Sequence, residues 1–209
     1  MNYLQIEFAL RGKTLPSDNG YAICSAIKKN VLNEKSLPPD VLLCSVPGIP
    51  TPNRIIYLNH LSKLRLRCPA EQVQQWYRVL QNQVLDIQGH LIRLIQPKIL
   101  LPQPSETLKA RMVTFKLESI NHQELPFYFL KSCNNALEKL EIKAKASIDS
   151  DANGDLARRA LQIRKKNVVG FAVAIEELSE QDSLKLQCYG IGGRKHFGCG
   201  WFYPTKKIL

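Results

Sequence analysis

Glycines and cations are concentrated in one short stretch near the C-terminus. Residues 190–200 read Gly-Ile-Gly-Gly-Arg-Lys-His-Phe-Gly-Cys-Gly and hold five of the 11 glycines of the chain. Glycine permits positive φ and lets backbone N–H groups approach a ligand without a Cβ in the way. Arg194 and Lys195 would add charge-assisted hydrogen bonds to phosphate oxygens. The stretch therefore indicates an anion-binding loop, with a glycine-rich turn before a last strand as the alternative.

A second cluster of cations supports a polyanionic partner. The block from Arg158 to Lys166 contains five cations and no acid, in a chain of formal net charge +11 and sequence pI near 9.5. A charge run is usually a solvated face, but this overall balance is typical of nucleic-acid-binding proteins, so we favour RNA contact. The predicted RNA-binding residues are Gly190, Gly192, Gly193, Arg194, Lys195, His196, Arg158, Arg159, Arg164, Lys165 and Lys166.

Other partners and compartments are disfavoured by composition. The chain has no apolar run long enough to span a bilayer and no signal-like N-terminus, so we expect no membrane partner and a cytoplasmic location. Its six cysteines form no CxxC pair. Neither a zinc site nor a disulfide framework is therefore supported, and the cysteines are expected to be small core residues in a reducing compartment.

The first half offers two sets of side chains that could carry acid–base chemistry. Helical spacing in 20–32 predicts that Tyr21, Ser25, Lys28 and Lys29 lie along one side of a helix. The alternative is that Tyr21 is core and the lysines are an ordinary solvated face. His60 lies in a predicted turn, and histidine is the residue type best suited to acid–base chemistry near neutral pH. We expect His90 to be structural and His122 to be solvated.

The periodicities predict an α+β protein built from two β-α-β-β-α-β units. The first has strands at 3–10, 54–58, 63–68 and 90–100, with 54–58 and 63–68 as a hairpin, and helices at 20–32 and 70–81. The second has strands at 111–117, 160–165, 168–176 and 198–203 and helices at 126–140 and 180–188. Prolines mark a linker between them. We therefore predict two tandem ferredoxin-like (RRM-like) domains, residues 1–104 and 105–209, with the glycine-rich loop in the second.

Five strings together resemble the CRISPR repeat-processing endoribonucleases of the RAMP superfamily, the Cas-six family in its short Cmx-type branch. They are FALRGKTLPSDNGY (8–21), SKLRLRCP (62–69), LDIQGHLIRL (85–94), NVVGFAV (167–173) and LKLQCYGIGGRKHFGCGW (184–201). They run through nearly the whole chain in the order found in the family.

The resemblance implies a function and its partners. Such enzymes bind the stem-loop of CRISPR repeat RNA and cut once on its 3′ side, without a metal or cofactor. The upstream 2′-OH attacks the phosphate and leaves a 2′,3′-cyclic phosphate and a 5′-OH. Many then stay on the crRNA 3′ handle as a subunit of a crRNA-guided complex. The resemblance places the active site in the first domain, the half that contains His60.

The chain departs from its relatives at one position. Where related sequences commonly carry His at the opening of the first helix, this chain has Asn19, which cannot exchange protons near neutral pH. The candidate catalytic residues are therefore His60, Tyr21, Lys28, Lys29 and Ser25. A handle-binding subunit that cleaves weakly and an RNA-binding accessory protein outside CRISPR remain open as alternatives.

Overall fold

A computed structural model describes residues 2–117, 121, 123–164 and 166–205. The chain divides into two compact units, one of Met1–Pro102 with His196–Gly198 and the other of Gln103–Lys195 with Cys199–Leu209. Within the described ranges the protein is α+β, with four α-helices and strands that pair antiparallel. None of these helices is long and apolar enough to cross a lipid bilayer.

The first unit is built on a five-stranded sheet. In spatial order its strands are β3 (Leu42–Leu43), β6 (Lys63–Pro69), β1 (Tyr3–Arg11), β8 (His90–Leu100) and β7 (Val84–Ile87). Along β1, Ile6 and Phe8 are fully buried while their neighbours are not, which is the alternation of a sheet with one core face. They join side chains of both helices in one hydrophobic cluster. The elements are β1 Tyr3–Arg11, β2 Thr14–Pro16, α1 Gly20–Asn30, β3 Leu42–Leu43, β4 Ile49–Pro50, β5 Ile55–Tyr57, β6 Lys63–Pro69, α2 Ala70–Leu80, β7 Val84–Ile87 and β8 His90–Leu100.

A small three-stranded sheet of order β2-β5-β4 accompanies the main sheet. The predicted hairpin between 54–58 and 63–68 is wrong, because β5 pairs with β2 and β4, whereas β6 pairs with β1 and β3. Alternating apolar residues specify a strand but not its partner. The neighbour of β6 is instead Leu42–Leu43, a strand too short for a periodicity to reveal.

The second unit repeats the arrangement with different lengths. In spatial order the strands of its sheet are β10 (Lys145–Ile148), β12 (Lys166–Glu176), β9 (Leu108–Val113) and β13 (Phe202–Pro204). An additional strand, β11 (Arg158–Ile163), pairs with β12. Phe129, Cys133 and Leu137 bury one side of α3 in the core of this unit. The elements are β9 Leu108–Val113, α3 Leu125–Lys139, β10 Lys145–Ile148, β11 Arg158–Ile163, β12 Lys166–Glu176, α4 Glu180–Tyr189 and β13 Phe202–Pro204.

Several predicted elements of the second unit shift or change partner. The hairpin predicted at 160–165 and 168–176 is confirmed as β11–β12, but the four-residue strand β10 was missed. The first strand begins at Leu108 rather than at residue 111, and the last begins at Phe202 rather than at residue 198. Gly198 and Gly200 have φ of 84° and 65°, a conformation that a strand does not use.

Candidate functional site

Helix α1 presents the predicted stripe of polar side chains. Its buried side consists of Ala22, Ile23, Cys24, Ala26 and Ile27 together with Gly20. On the other side, Ser25 and Lys29 are exposed, and Tyr21 and Lys28 are half-buried. We call Tyr21, Ser25, Lys28 and Lys29 the α1 stripe. The helix thus buries its small and aliphatic residues and leaves a hydroxyl, a phenol and two ammonium groups on one accessible side.

Asn19, the residue before α1, is fully buried and is a structural bridge. Its Nδ2 donates to the carbonyl of Pro16 at 3.1 Å and to that of Val46 at 2.9 Å, while Oδ1 accepts from the Val46 N–H at 2.8 Å. Both donors and the acceptor of the amide are therefore satisfied by backbone. Asn19 therefore leaves no exposed gap at the start of α1, because its side chain is fully buried.

Gly20 is required by a close approach of the chain at residues 196–198. A Cβ on Gly20 would lie 2.0 Å from the carbonyl oxygen of Phe197, and one on Gly198 would lie 2.9 Å from the Ser45 N–H nitrogen. The rings of Tyr21 and Phe197 meet edge to face at 5.2 Å. The start of α1 is therefore fixed by glycine contacts and an aromatic pair. We refer to Asn19, Gly20, Tyr21, Phe197 and Gly198 as the α1 anchor.

His196 has a fixed ring orientation within the first unit. Its Nε2–H donates to the carbonyl oxygen of Pro38 at 2.9 Å, and the imidazole is half-buried. Because a carbonyl can only accept, Nε2 carries a proton, and in the neutral ring Nδ1 carries the lone pair. His196 therefore has an oriented acceptor nitrogen next in sequence to the residue that packs on Tyr21.

The first part of the glycine-rich loop follows α4 and uses its glycines for close packing. Gly192 has φ of 81°, and a Cβ there would lie 2.6 Å from the carbonyl oxygen of Thr114. The N–H of Gly193 donates to that same carbonyl at 2.8 Å, and Gly190 donates to Leu186 at 2.8 Å. These two N–H groups are thus used inside the protein. An anion bound in this part of the loop would therefore need hydrogen bonds from side chains and from amides other than those of Gly190 and Gly193.

Arg194 and Lys195 complete the loop. Arg194 is half-buried and adopts φ of 59°, a left-handed conformation that is uncommon for a residue with a Cβ. Burial lowers the pKa of Lys195 from its usual value of 10.5. Desolvation disfavours the ammonium form, so an anion close to this side chain would offset that cost.

The basic hairpin β11–β12 carries the second predicted RNA-binding cluster. Arg158 and Arg159 begin β11, while Arg164, with φ of 55°, and Lys166 mark its other end. All four are exposed, and Lys165 lies outside the described residues. The two ends are separated by about 17 Å at the usual rise of a strand. Exposed cations over such a length suit several successive phosphates rather than one small anion.

His60 lies at the tip of an exposed turn. Asn59 and Ser62 hold this turn, since the Asn59 N–H donates to Ser62 Oγ at 3.0 Å and the Leu61 N–H donates to Asn59 Oδ1 at 2.9 Å. The imidazole of His60 is exposed and forms no hydrogen bond, ion pair or ring contact with a residue of the described ranges. No residue in those ranges orients its ring as Pro38 orients that of His196.

The remaining candidates are two histidines and groups of metal-ligating side chains. His90 forms a hydrogen bond through Nδ1 with Thr14 Oγ1 at 2.8 Å, and His122 falls outside the described residues. Among the described residues, no group of three or more His, Cys, Asp and Glu could hold a metal ion. The roles of Asn19 and of the His196–Pro38 contact were not predictable, because their partners are 27 and 158 residues away in sequence.

Comparisons with known proteins agree on one family. The family model described as Cas6 Crispr matches residues 4–207. The CRISPR-associated endonuclease Cas6 of Myxococcus xanthus (strain DK1622) is 32% identical over 206 residues, which cover 98% of this chain and 82% of that protein. One solved structure, described as an RAMP protein binding different RNA substrates, superposes with a TM-score of 0.67 at 12% identity, covering 99% of this chain and all of the other.

A second solved structure, from a Cas6-related gene of Pyrococcus furiosus, superposes with a TM-score of 0.65 at 13% identity and covers 99% of this chain and 100% of its own. At such low identity these superpositions establish a shared fold. The family match and the Myxococcus relative span nearly the full chain. On these grounds the chain belongs to the Cas6 family of CRISPR-associated proteins.

Proposed function

We propose that this protein binds CRISPR repeat RNA and cuts it once, without a metal, through attack of a ribose 2′-OH on the neighbouring phosphate. The products are a 2′,3′-cyclic phosphate and a 5′-OH, and the protein remains on the crRNA 3′ handle as a subunit of a crRNA-guided complex. The observation that carries the proposal is the α1 anchor, which fixes a stripe of Tyr21, Ser25, Lys28 and Lys29 beside the His196–Phe197 segment.

We propose that each unit is a ferredoxin-like domain. In both sheets the strand that follows the first helix is at one edge, next to the strand that precedes the second helix. The first strand comes next, followed by β8 in the first sheet, with β7 beyond it at the other edge, and by β13 in the second sheet. The shared order supports a tandem arrangement with the reaction in the first domain and much of the RNA affinity in the second.

The RNA is held mainly by cations. The exposed ends of hairpin β11–β12 suit the backbone of a helical stem, and Arg194 and Lys195 suit a phosphate close to the glycine-rich loop. Phosphate contacts of this kind position the RNA and set affinity, whereas the shape and unpaired bases of the RNA provide selectivity. The predicted contacts are Gly190, Gly192, Gly193, Arg194, Lys195, His196, Arg158, Arg159, Arg164, Lys165 and Lys166.

The reaction requires one proton to leave and one to arrive. As the 2′-OH loses its proton, the O2′–P bond forms and the P–O5′ bond breaks, and O5′ then gains a proton. His196 Nδ1 is an oriented acceptor for the first proton, because Nε2–H is occupied by Pro38. Lys28 and Lys29 stabilise the charge that builds on the phosphate oxygens, and one of the two donates the second proton.

Tyr21 and Ser25 position the scissile phosphate by hydrogen bonding. This assignment prefers the α1 stripe to His60, because a catalytic acid or base must be held within hydrogen-bond reach of the proton that it transfers. His60 lies on an exposed turn with no orienting partner among the described residues. It remains the candidate to be tested against the α1 stripe.

The test is cleavage of labelled repeat RNA from the CRISPR array that accompanies this protein, with EDTA present. We expect one cut, a product that carries a cyclic phosphate, and no cut when the nucleotide upstream of the scissile bond is 2′-deoxy. Dependence on added metal or a 3′-OH end would contradict the mechanism. Tight retention of an intact repeat would instead support a handle-binding subunit.

A further inference from the structure

The first unit contains two arginines that face each other without a counter-charge. Arg11 of β1 and Arg93 of β8 are directly opposite in the antiparallel register, and both are exposed. Neither guanidinium group forms a hydrogen bond or ion pair with any residue in the described part of the chain. Like charges in directly opposite positions destabilise a sheet. An anion bound between the two guanidinium groups would remove that repulsion.

The nearby carboxylates are already engaged. Glu7, on the same strand as Arg11, accepts from Arg65 Nε at 2.7 Å. Asp86 is opposite Leu91 on the neighbouring strand, and its Oδ1 accepts from the Gly89 N–H at 2.7 Å. The exposed side chain of Lys13 adds a third cation close to Arg11 in sequence. Glu7 is paired with Arg65, and the three exposed cations Arg11, Lys13 and Arg93 outnumber Asp86, so this part of the unit is positively charged.

An exposed aromatic ring lies in the small sheet, whose strand β2 follows β1 after Gly12 and Lys13. Tyr57 is 57% exposed in the middle strand of the small sheet, with Thr14 opposite it on one side and Ile49, 55% exposed, opposite it on the other. Residues that are opposite in register share a face of the sheet. The ring is therefore flanked by a β-branched and an aliphatic side chain, a flat surface on which a nucleobase can stack.

Two contacts hold the segment from Gly12 to Thr14 against β8, the strand that carries Arg93. Thr14 Oγ1 is 2.8 Å from His90 Nδ1, at the start of the strand that carries Arg93. Gly12, between Arg11 and Lys13, approaches that strand so closely that a Cβ would lie 2.9 Å from the carbonyl oxygen of Leu91. Arg11 and Thr14 are three residues apart, at most about 10 Å along an extended chain. Cations and ring are thus within reach of neighbouring nucleotides of one strand.

We infer that this surface binds an unpaired segment of RNA, with a phosphate between Arg11 and Arg93 and a base stacked on Tyr57. The inference deepens the proposed function, since the segment would be the single-stranded part of the RNA whose stem is held elsewhere. Stacking on an aromatic ring tolerates any base. The surface should therefore add affinity for unpaired nucleotides with little sequence preference.

The test uses a fluorescein-labelled oligouridylate of about eight nucleotides, which contains no stem. Tyr57→Ala should weaken its binding to the full-length protein about tenfold, because a base stack is removed, whereas Tyr57→Phe should bind like wild type. Arg11→Ala with Arg93→Ala should also weaken binding and lower the slope of log K against log salt by about 0.7 for each phosphate that is no longer neutralised. Arg78→Ala, an exposed arginine on α2, is the matched control.

A second readout locates the contact directly. An oligouridylate that contains 4-thiouridine should crosslink to Tyr57 under long-wave ultraviolet light, and the crosslinked peptide identifies the residue. Equal oligouridylate affinity for wild type, Tyr57→Ala and the double arginine variant would overturn the inference. The same result is expected if the surface binds a protein rather than RNA. Because the probe has no stem and is not cut, this result does not depend on repeat cleavage.

Discussion

The start of α1 and the basic hairpin β11–β12 are both assigned to RNA, yet they are built in opposite ways. At the start of α1, Asn19 is fully buried with its amide satisfied, and Gly20 leaves no room for a Cβ. In the hairpin, the four described cations are all exposed. Chemistry on a phosphate requires groups held within a fraction of an ångström, whereas charge attraction to an RNA backbone does not.

The difference predicts two kinds of mutational effect. Changes at the α1 anchor should damage stability and cleavage together, because the same contacts hold the helix and its polar stripe. Changes in the hairpin should damage RNA affinity alone, because exposed side chains with few contacts contribute little to folding.

Gly20→Ala should have the largest effect on the fold. The added Cβ would lie 2.0 Å from the carbonyl oxygen of Phe197, so the backbone of α1 or of residues 196–198 must move. We expect a loss of about 3 kcal/mol or more in the free energy of unfolding and a fall of about 100-fold in cleavage rate. Urea unfolding and single-turnover cleavage measure the two losses.

Gly193→Ala is the matched control for this substitution. The nearest atom to its added Cβ is 3.8 Å away, and its φ is not in the left-handed region. Because Gly193 is also a predicted RNA contact, the comparison is made on stability alone, and this variant should unfold in urea like wild type. If Gly20→Ala behaved in the same way, the close approach of Phe197 would not anchor α1.

Asn19→Ala should have the second-largest effect on stability. It leaves the N–H of Val46 and the carbonyls of Pro16 and Val46 without their partner in a buried region, at a cost of about 1–3 kcal/mol for an unsatisfied group. Asn19→His should also destabilise, because the larger ring must enter a fully buried position. Thermal unfolding checks both. A stable Asn19→His variant that cuts faster than wild type would contradict this account and indicate an exposed catalytic position.

Replacing Arg158, Arg159, Arg164 and Lys166 with alanine should weaken RNA binding by roughly tenfold or more without lowering the melting temperature. The slope of log K against log salt should fall by about 0.9 for each phosphate of a helical stem that is no longer neutralised. The control replaces four other exposed lysines of the second unit, Lys131, Lys139, Lys143 and Lys145. An equal loss of affinity in the control would mean that net charge alone matters.

At Lys195 we expect a smaller effect on RNA affinity, one that depends on pH. Burial lowers its pKa below 10.5, so its charge is lost at a lower pH than that of an ordinary lysine. RNA affinity should therefore decline on the alkaline side earlier for wild type than for Lys195→Arg, whose guanidinium stays charged. The residue's effect on stability has the opposite sign. Between the two pKa values the unfolded chain binds more protons, so the free energy of unfolding rises with pH.

Much of the fold could be predicted from local patterns. The spacing of Tyr3–Arg11, His90–Leu100 and the four helices predicts those elements closely, because each has one face buried in a core. The pairing of β5 with β2 and β4 was not predictable, since alternation does not name a partner. Five short strands, β2, β3, β4, β7 and β10, were missed because so few residues give no periodic signal.

The part of the candidate site that depends on helical spacing could be predicted from the sequence. The part formed where distant chain segments meet could not. The spacing of the α1 stripe correctly indicates one accessible side, and the burial of the residues between its members confirms it. The contact of Phe197 with Gly20 and Tyr21 has no local signal. Asn19 was interpreted as a lost proton donor, whereas its amide is a bridge to Val46, and only tertiary structure could reveal this.

The central claim is that the chemistry belongs to the α1 stripe and His196 rather than to His60. The most direct test is the single-turnover cleavage rate of repeat RNA at saturating protein for Lys28→Ala and for His60→Ala. His60 is exposed and Lys28 is half-buried on the accessible side of α1, so neither change should unfold the protein. We predict a fall of about 10²–10⁴ for Lys28→Ala and a rate near wild type for His60→Ala. The reverse pattern, with His60→Ala inactive and Lys28→Ala unaffected, would contradict the claim.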